Sequence, residues 1–452
     1  MIAHLTDQAV YSLTNFLLLL LALRNLELTQ VGLFTLLYYA VLTVVATGRA
    51  GLFEPMLTSA LDWSRAQRIE ATRSAAGAAL ALGLGVTALM TVGATALRQP
   101  PTLVVCCGAV LTLMMVQDAF RYHWFAAGQP WQVAINDTLC LLGTVATLGL
   151  LSAAGQLDLV PLMLAWAAGA AIGIAGAIPV VRAVPSLRNA WRWARANRHA
   201  GLPLAGAVLV GMLGMQLSLT VTGAIGGLTA LGLLSAAIAL LAPLNVLIAA
   251  TGIYGVTDAA RRLRRAGIPD LRRGLLRIGV GLTFAIAALP PLYFVVPDRV
   301  GERYFGDNWS SSSSCLFPIA IWLCLHAGMH APRCALRVLG RDRTALALSA
   351  VTSALQASGA AAGAALGGGQ GAAWGMAAAN ATMILPWLLT FHRVAGRAEP
   401  RIPRPRTDQR YLEMLVDAPA ASSSVGDHHS PVVRRGATAA ELTQTGRPTT
   451  EH

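Results

Sequence analysis

Two apolar runs, residues 102–116 and 133–151, flank a short polar stretch that holds Gln117, Asp118, Arg121, Tyr122, His123, Gln129, Pro130, Asn136 and Asp137. Hydrocarbon admits a backbone only when its polar groups bond one another, and admits charge only at its rim or in a polar cavity. The stretch therefore predicts a transmembrane helix hairpin with a charged mouth. The pattern recurs: runs of about 18 or more mainly apolar residues place spans near 9–26, 31–55, 75–97, 102–122, 133–153, 160–181, 202–225, 228–256, 275–296, 315–333, 345–366 and 371–391. Charged residues make up 12% of the chain and its mean hydropathy is +0.58, whereas about a quarter of a soluble domain is charged. The expected fold class is all-α, a polytopic membrane protein of about 12 transmembrane helices.

The net charge of +13 would suggest nucleic acid in a soluble domain, but here it orients helices. With an N-terminus inside, the inner connections hold Arg65, Arg68, Arg73, Arg121, Arg182, Arg188, Arg192, Arg195, Arg198, seven arginines from Arg261 to Arg277, and Arg333, Arg337, Arg341 and Arg343, twenty in all. The outer connections hold four: Arg24, Arg98, Arg299 and Arg303. Both termini are therefore expected in the cytoplasm, with no nucleic-acid partner. All 34 basic residues are arginine, a composition of GC-rich genomes that points to a bacterium and its inner (plasma) membrane. The six cysteines, Cys106, Cys107, Cys140, Cys315, Cys324 and Cys334, lie in or beside apolar runs without metal-ligand spacing and read as small core hydrophobes. No cationic segment precedes the first apolar run, which is expected to be retained as a helix.

The chain echoes itself. The LTQVGLF run at 28–34 opens the second span and LTALGLL at 228–234 opens the eighth; Arg121 and Gly128 after span four match Arg333 and Gly340 after span ten. The echoes predict two six-helix lobes in parallel orientation, residues 1–181 and 202–393. Between them, 182–201 reads as an amphipathic cytoplasmic linker, with Arg188, Arg192 and Arg195 on one side and Leu187, Trp191 and Ala194 on another, lying on the anionic inner leaflet. Residues 394–452, rich in Pro, Arg, Ser and Thr, form the expected disordered cytoplasmic tail.

Candidate binding residues gather at the inner mouth of the first lobe. Arg49 lies about 27 Å down its helix from Val31 at 1.5 Å per residue, with Glu54 further toward the cytoplasm. Asp118 and Arg121 are i,i+3 neighbours, Gln117 and Arg121 i,i+4, and Asn136 and Asp137 begin the returning helix. Guanidinium groups bind phosphate in a planar, two-point way, so Arg49 and Arg121 could receive an anionic head group while Glu54, Asp118 and Asp137 orient them; snorkelling arginines in structural ion pairs are the competing reading. Asn15, Gln216, Asn245 and Asn380 are the polar residues deeper in the spans, able to line a cavity or to bond helix to helix. Pro243, Pro290, Pro291 and Pro318 interrupt spans and are candidate bending points. His326 and His330 share a helix face but lack the glutamate and third ligand of a zinc site. No phosphate-binding loop, nucleotide fingerprint or catalytic triad order occurs, so neither catalysis nor a cofactor is expected.

Taken in order, Asp7 and Gln8, SLTNF at 12–16, Arg24, VGLF at 31–34, RAGLFEP at 49–55, VQDAFRY at 116–122, Asn136 and Asp137, APLN at 242–245 and GDNW at 306–309 resemble the polysaccharide flippases of the multidrug/oligosaccharidyl-lipid/polysaccharide exporter superfamily, which includes the O-antigen flippases. The resemblance implies a V-shaped pair of lobes around a cavity that moves polyprenyl-diphosphate-linked oligosaccharide to the outer leaflet by alternating access, for cell-surface polysaccharide biosynthesis. The implied partners are the lipid-linked glycan, membrane lipids, and a glycan polymerase and glycosyltransferases. Substrate-binding residues would be Arg49, Arg121, Glu54, Asp118, Asn15, Arg24, Gln117, Asp137, Gln216 and Asn245. The alternatives are a multidrug and toxin extrusion cation antiporter, which buried acidic groups would favour, and a non-transporting scaffold, which a solid interface between the lobes would favour.

Overall fold

The computed structural model describes residues 2–59, 63–96, 101–288, 291, 298–305 and 308–396. Every regular element among them is a helix: α1 (Ile2–Asn25), α2 (Leu28–Leu52), α3 (Glu54–Ser59), α4 (Arg65–Ala96), α5 (Pro101–Ala126), α6 (Pro130–Ala153), α7 (Leu159–Val181), α8 (Leu187–Ala288), α9 (Asp298–Phe305), α10 (Asn308–Val338) and α11 (Asp342–Ala395). Eight helices are long and apolar enough to cross a bilayer, and the shorter apolar stretch Ala9–Asn25 lies in α1. α8 and α11 are broken internally. Left-handed backbone at Gly227 (φ 83°) and Gly267 (φ 71°) ends one helix of α8 and starts the next, and Gly367 and Gly368 do the same in α11; positive φ carries no steric penalty in glycine. Divided there, the long apolar helices among the described residues number twelve.

The described residues all fall in one compact unit. α11 continues through Ala395, two residues into the expected tail; from residue 397 that expectation lies outside the described residues. The expected linker is not a separate element, since α8 runs unbroken from Leu187 into the next span. Ala190 and Trp193 are buried, and the Trp193 indole donates to the Leu52 carbonyl at 3.0 Å, while Leu187 and Trp191 point outward beside the arginines.

Both sequence echoes recur as structure. Gly128 (φ 70°) and Gly340 (φ 66°) end α5 and α10 in the left-handed conformation. The bonds around them match one for one: Ala127, Gly128 and Gln129 donate to His123, Phe125 and Trp124, as Leu339, Gly340 and Arg341 donate to Ala335, Arg337 and Leu336. The 28–34 and 228–234 runs meet each other. A Cβ on Gly32 would stand 2.6 Å from the Leu228 carbonyl oxygen, one on Gly232 would strike that of Leu28, and the Thr29 and Thr229 hydroxyls are 3.4 Å apart. Such reciprocal contact is what a local two-fold produces. At the other end of α2, Gly51 backs onto Gly201 and Ala205 of α8.

Candidate functional site

Between these two close approaches of α2 and α8 lies a cavity of about 440 Å³. α1 contributes Tyr11, Ser12 and Asn15, α2 contributes Tyr38, Tyr39 and Leu42, α8 contributes 211–215 in part, α10 contributes Trp322, His326 and Arg333, and α11 contributes Ser349, Thr352, Ser353 and Gln356. Hydrogen bonds tie the far wall together. The Trp322 indole donates to Gln356 Oε1 at 3.2 Å, the Trp387 indole to Thr352 Oγ1 at 3.1 Å, and Ser353 Oγ to the Val210 carbonyl at 3.0 Å. Asn380 is fully buried and donates to the Trp322 carbonyl at 3.3 Å, a helix-to-helix bond.

The expected arginine mouth is a closed ionic cluster. Arg49 grips Asp118 through Nε and Nη2 at 2.9 and 3.0 Å. Arg121 lies 3.1 Å from each of Asp7, Asp118 and Asp137, and the Tyr11 ring lies under both guanidiniums, 4.9 Å from that of Arg121 and 5.8 Å from that of Arg49. Gln117 donates to Asp137 at 3.3 Å and Cys140 at 2.8 Å, and Asn136 donates to the Gly173 carbonyl at 2.7 Å. Arg121 and all three aspartates are buried. Arg49 and Arg121 are thus paired with carboxylates in this structure, although Arg121 Nε and Asp137 Oδ2 have no hydrogen-bond partner among the described residues.

The other candidates scatter. Asn15 lines the cavity while donating to the Tyr11 carbonyl at 3.1 Å. Glu54 opens α3, and Arg24 stands exposed in the last turn of α1; neither lines the cavity. Gln216 is half-buried with its Oε1 unpartnered among the described residues, one position beyond the cavity-lining Met215. Asn245 lies on α8, its side chain outside the described set.

Arg333 was read as loop charge from the sequence, yet it lines the cavity. Among the described residues it has no carboxylate partner; its guanidinium stacks over Trp387 at 5.3 Å and its Nε is buried without an acceptor. His326 and His330 continue its helix face, His326 stacked on Trp322 and His330 with both ring nitrogens buried and unpartnered among the described residues. The i, i+4, i+7 spacing of His326, His330 and Arg333 was visible in the sequence. So was the echo of Arg333 with Arg121.

The sequence matches no known family model and no curated protein. Solved structures do match. An inward-facing multidrug resistance MATE family transporter of the MOP superfamily aligns over 86% of this chain and 95% of its own at 13% identity and TM-score 0.68. The lipid II flippase MurJ in an inward closed conformation aligns over 92% of each chain at 10% identity and TM-score 0.59. A MOP superfamily transporter from Pyrococcus furiosus, described as having a binding pocket of reverse polarity, aligns over 87% of this chain and 94% of its own at 14% identity and TM-score 0.56. Likeness at such identities speaks for architecture alone, and on that footing the chain has the fold of the MOP superfamily transporters.

Proposed function

We propose that this chain is a flippase that moves a polyprenyl-diphosphate-linked oligosaccharide between membrane leaflets by alternating access of its two halves. One observation carries the reading: the central cavity presents a guanidinium, Arg333, that has no carboxylate partner among the described residues. A desolvated cation without a counter-ion is costly, and an anionic group from outside the chain removes that cost. Guanidinium offers a diphosphate two parallel donors. The Ser349, Ser353 and Asn15 side chains on the same cavity suit sugar hydroxyls. At about 440 Å³ the space is that of a small-ligand site, so a long glycan crosses only as the halves part. The partners that follow are the lipid-linked glycan, and the glycosyltransferases and polymerase that make and consume it.

A second reading has its own support. Asp7, Asp118 and Asp137 are buried, as in a cation antiporter, and Asp137 borders a small recess with Tyr11 and Asn15. Arg121 and Arg49 hold these carboxylates, however, and the central cavity itself displays the opposite charge. A pure scaffold would have no use for such a cavity.

Reconstituted vesicles decide between them. Arg333→Ala is expected to slow translocation of a fluorescent polyprenyl-diphosphate saccharide on the order of tenfold or more, the loss of a charged hydrogen bond worth about 1.5–3 kcal/mol, with Arg333→Lys in between. Unchanged glycolipid movement in Arg333→Ala, alongside proton-driven efflux of an organic cation dye, would favour the antiporter.

A further inference from the structure

A lipid-facing groove lies across α10 from the cavity. Gly328, Ala331 and Pro332 line it, and the helical repeat of 100° per residue puts them on the side opposite His326 and Arg333. Two recesses of about 350 and 400 Å³ join there, sharing Arg272, Leu276 and His392. One end is cationic: Arg272, Arg273 and His392 line it, and no acidic residue does. Nearby Asp270 is engaged by Arg262 at 3.5 Å, and neither Arg272 nor Arg273 has an ion-pair partner among the described residues.

The rest is apolar. Leu276, Val280 and Phe284 recur every fourth residue after Arg272 along one wall, and Leu388 and Ile384 recede from His392 along the other. Behind them the helices close on small residues, where a Cβ on Gly279 would stand 3.1 Å from that of Ala331. Phe284 is 71% exposed, so the groove is open to the bilayer.

We propose that this groove is a binding site for one anionic phospholipid of the surrounding bilayer, its phosphate held by Arg272 and Arg273 and an acyl chain lying along Leu276, Val280 and Phe284. From Arg272 to Phe284 the wall runs about 18 Å at 1.5 Å per residue, close to half the roughly 30 Å hydrocarbon core. That length suits a chain confined to one leaflet better than a polyprenyl tail. Arginines near a lipid surface attract anionic head groups, and this site adds an apolar slot beneath them. The assignment does not depend on which cargo crosses the central cavity.

The full chain, delipidated in detergent, is titrated with phosphatidylglycerol and with phosphatidylcholine, and bound lipid is counted by native mass spectrometry. Phosphatidylglycerol should bind roughly thirtyfold more tightly, from two arginines each favouring an anionic head group by about 1 kcal/mol. Arg272→Ala with Arg273→Ala should remove that preference, the double lysine variant should keep it, and Thr283→Trp, which fills the slot, should weaken both lipids. Equal binding of the two lipids by the native chain overturns the assignment, as does an undiminished preference in the double alanine variant. Displacement of phosphatidylglycerol by equimolar polyprenyl phosphate would also overturn it and give the groove to cargo.

Discussion

Arg121 and Arg333 occupy matching places at the ends of α5 and α10, yet their surroundings are opposite. Arg121 is the shared counter-ion of three buried aspartates; Arg333 has an indole and a cavity. Removing one partner from a buried ionic network strands the rest, at a typical cost of about 3–5 kcal/mol. Arg121→Ala is therefore expected to lower the thermal midpoint sharply and to yield little monodisperse protein, rather than to impair transport in a well-folded chain. Arg333→Ala should leave the stability within about 1 kcal/mol of wild type, since only a cation–π contact is lost, while transport falls. Equal thermal losses in the two variants would contradict the contrast. The sequence showed Arg121 beside Asp118, because three residues on a helix are neighbours by geometry. It could not show Asp7, which lies 114 positions away and meets Arg121 only after α1 packs against α6.

At the scale of elements, α2 and α8 close on each other at Gly32 and Gly232, with Thr29 facing Thr229 at 3.4 Å. A side chain at either glycine would enter the opposite backbone, so Gly232→Leu should force these helix ends apart and reduce stability by about 1–3 kcal/mol, the usual cost of overpacking. If the halves rock, this contact is one that must open. Thr29→Cys with Thr229→Cys should cross-link on oxidation, arrest translocation, and recover on reduction; vesicles that translocate equally fast while cross-linked would show that the contact stays shut. The echo between 28–34 and 228–234 was legible in the sequence. That the two copies touch was not, since a repeat records likeness and says nothing about which surfaces meet. The helix from Leu187 shows the converse, because spacing put its arginines on one side but could not say that Trp193, rather than Trp191, would find the Leu52 carbonyl.

For the whole molecule, the arginine asymmetry gives a topology that can be read chemically. A cysteine at Gly155, between α6 and α7, should react with an impermeant maleimide only from outside the cell, and one at Arg195 only from inside; the reverse pattern would invert the chain. The native cysteines interfere little, five being buried and Cys324 half-buried. The sequence by itself determined the solvent, the secondary structure and the approximate spans. Those follow from the cost of an unbonded peptide group in hydrocarbon, which every residue meets locally and which composition records directly. It also set the glycine breaks between spans, since positive φ is a property of the single residue. Only the tertiary structure decided which charges are free. Whether a guanidinium faces a carboxylate or an empty cavity depends on distances of about 3 Å between helices far apart in the chain. On that basis Arg49 and Arg121 meet aspartates, and Arg333 meets no carboxylate among the described residues.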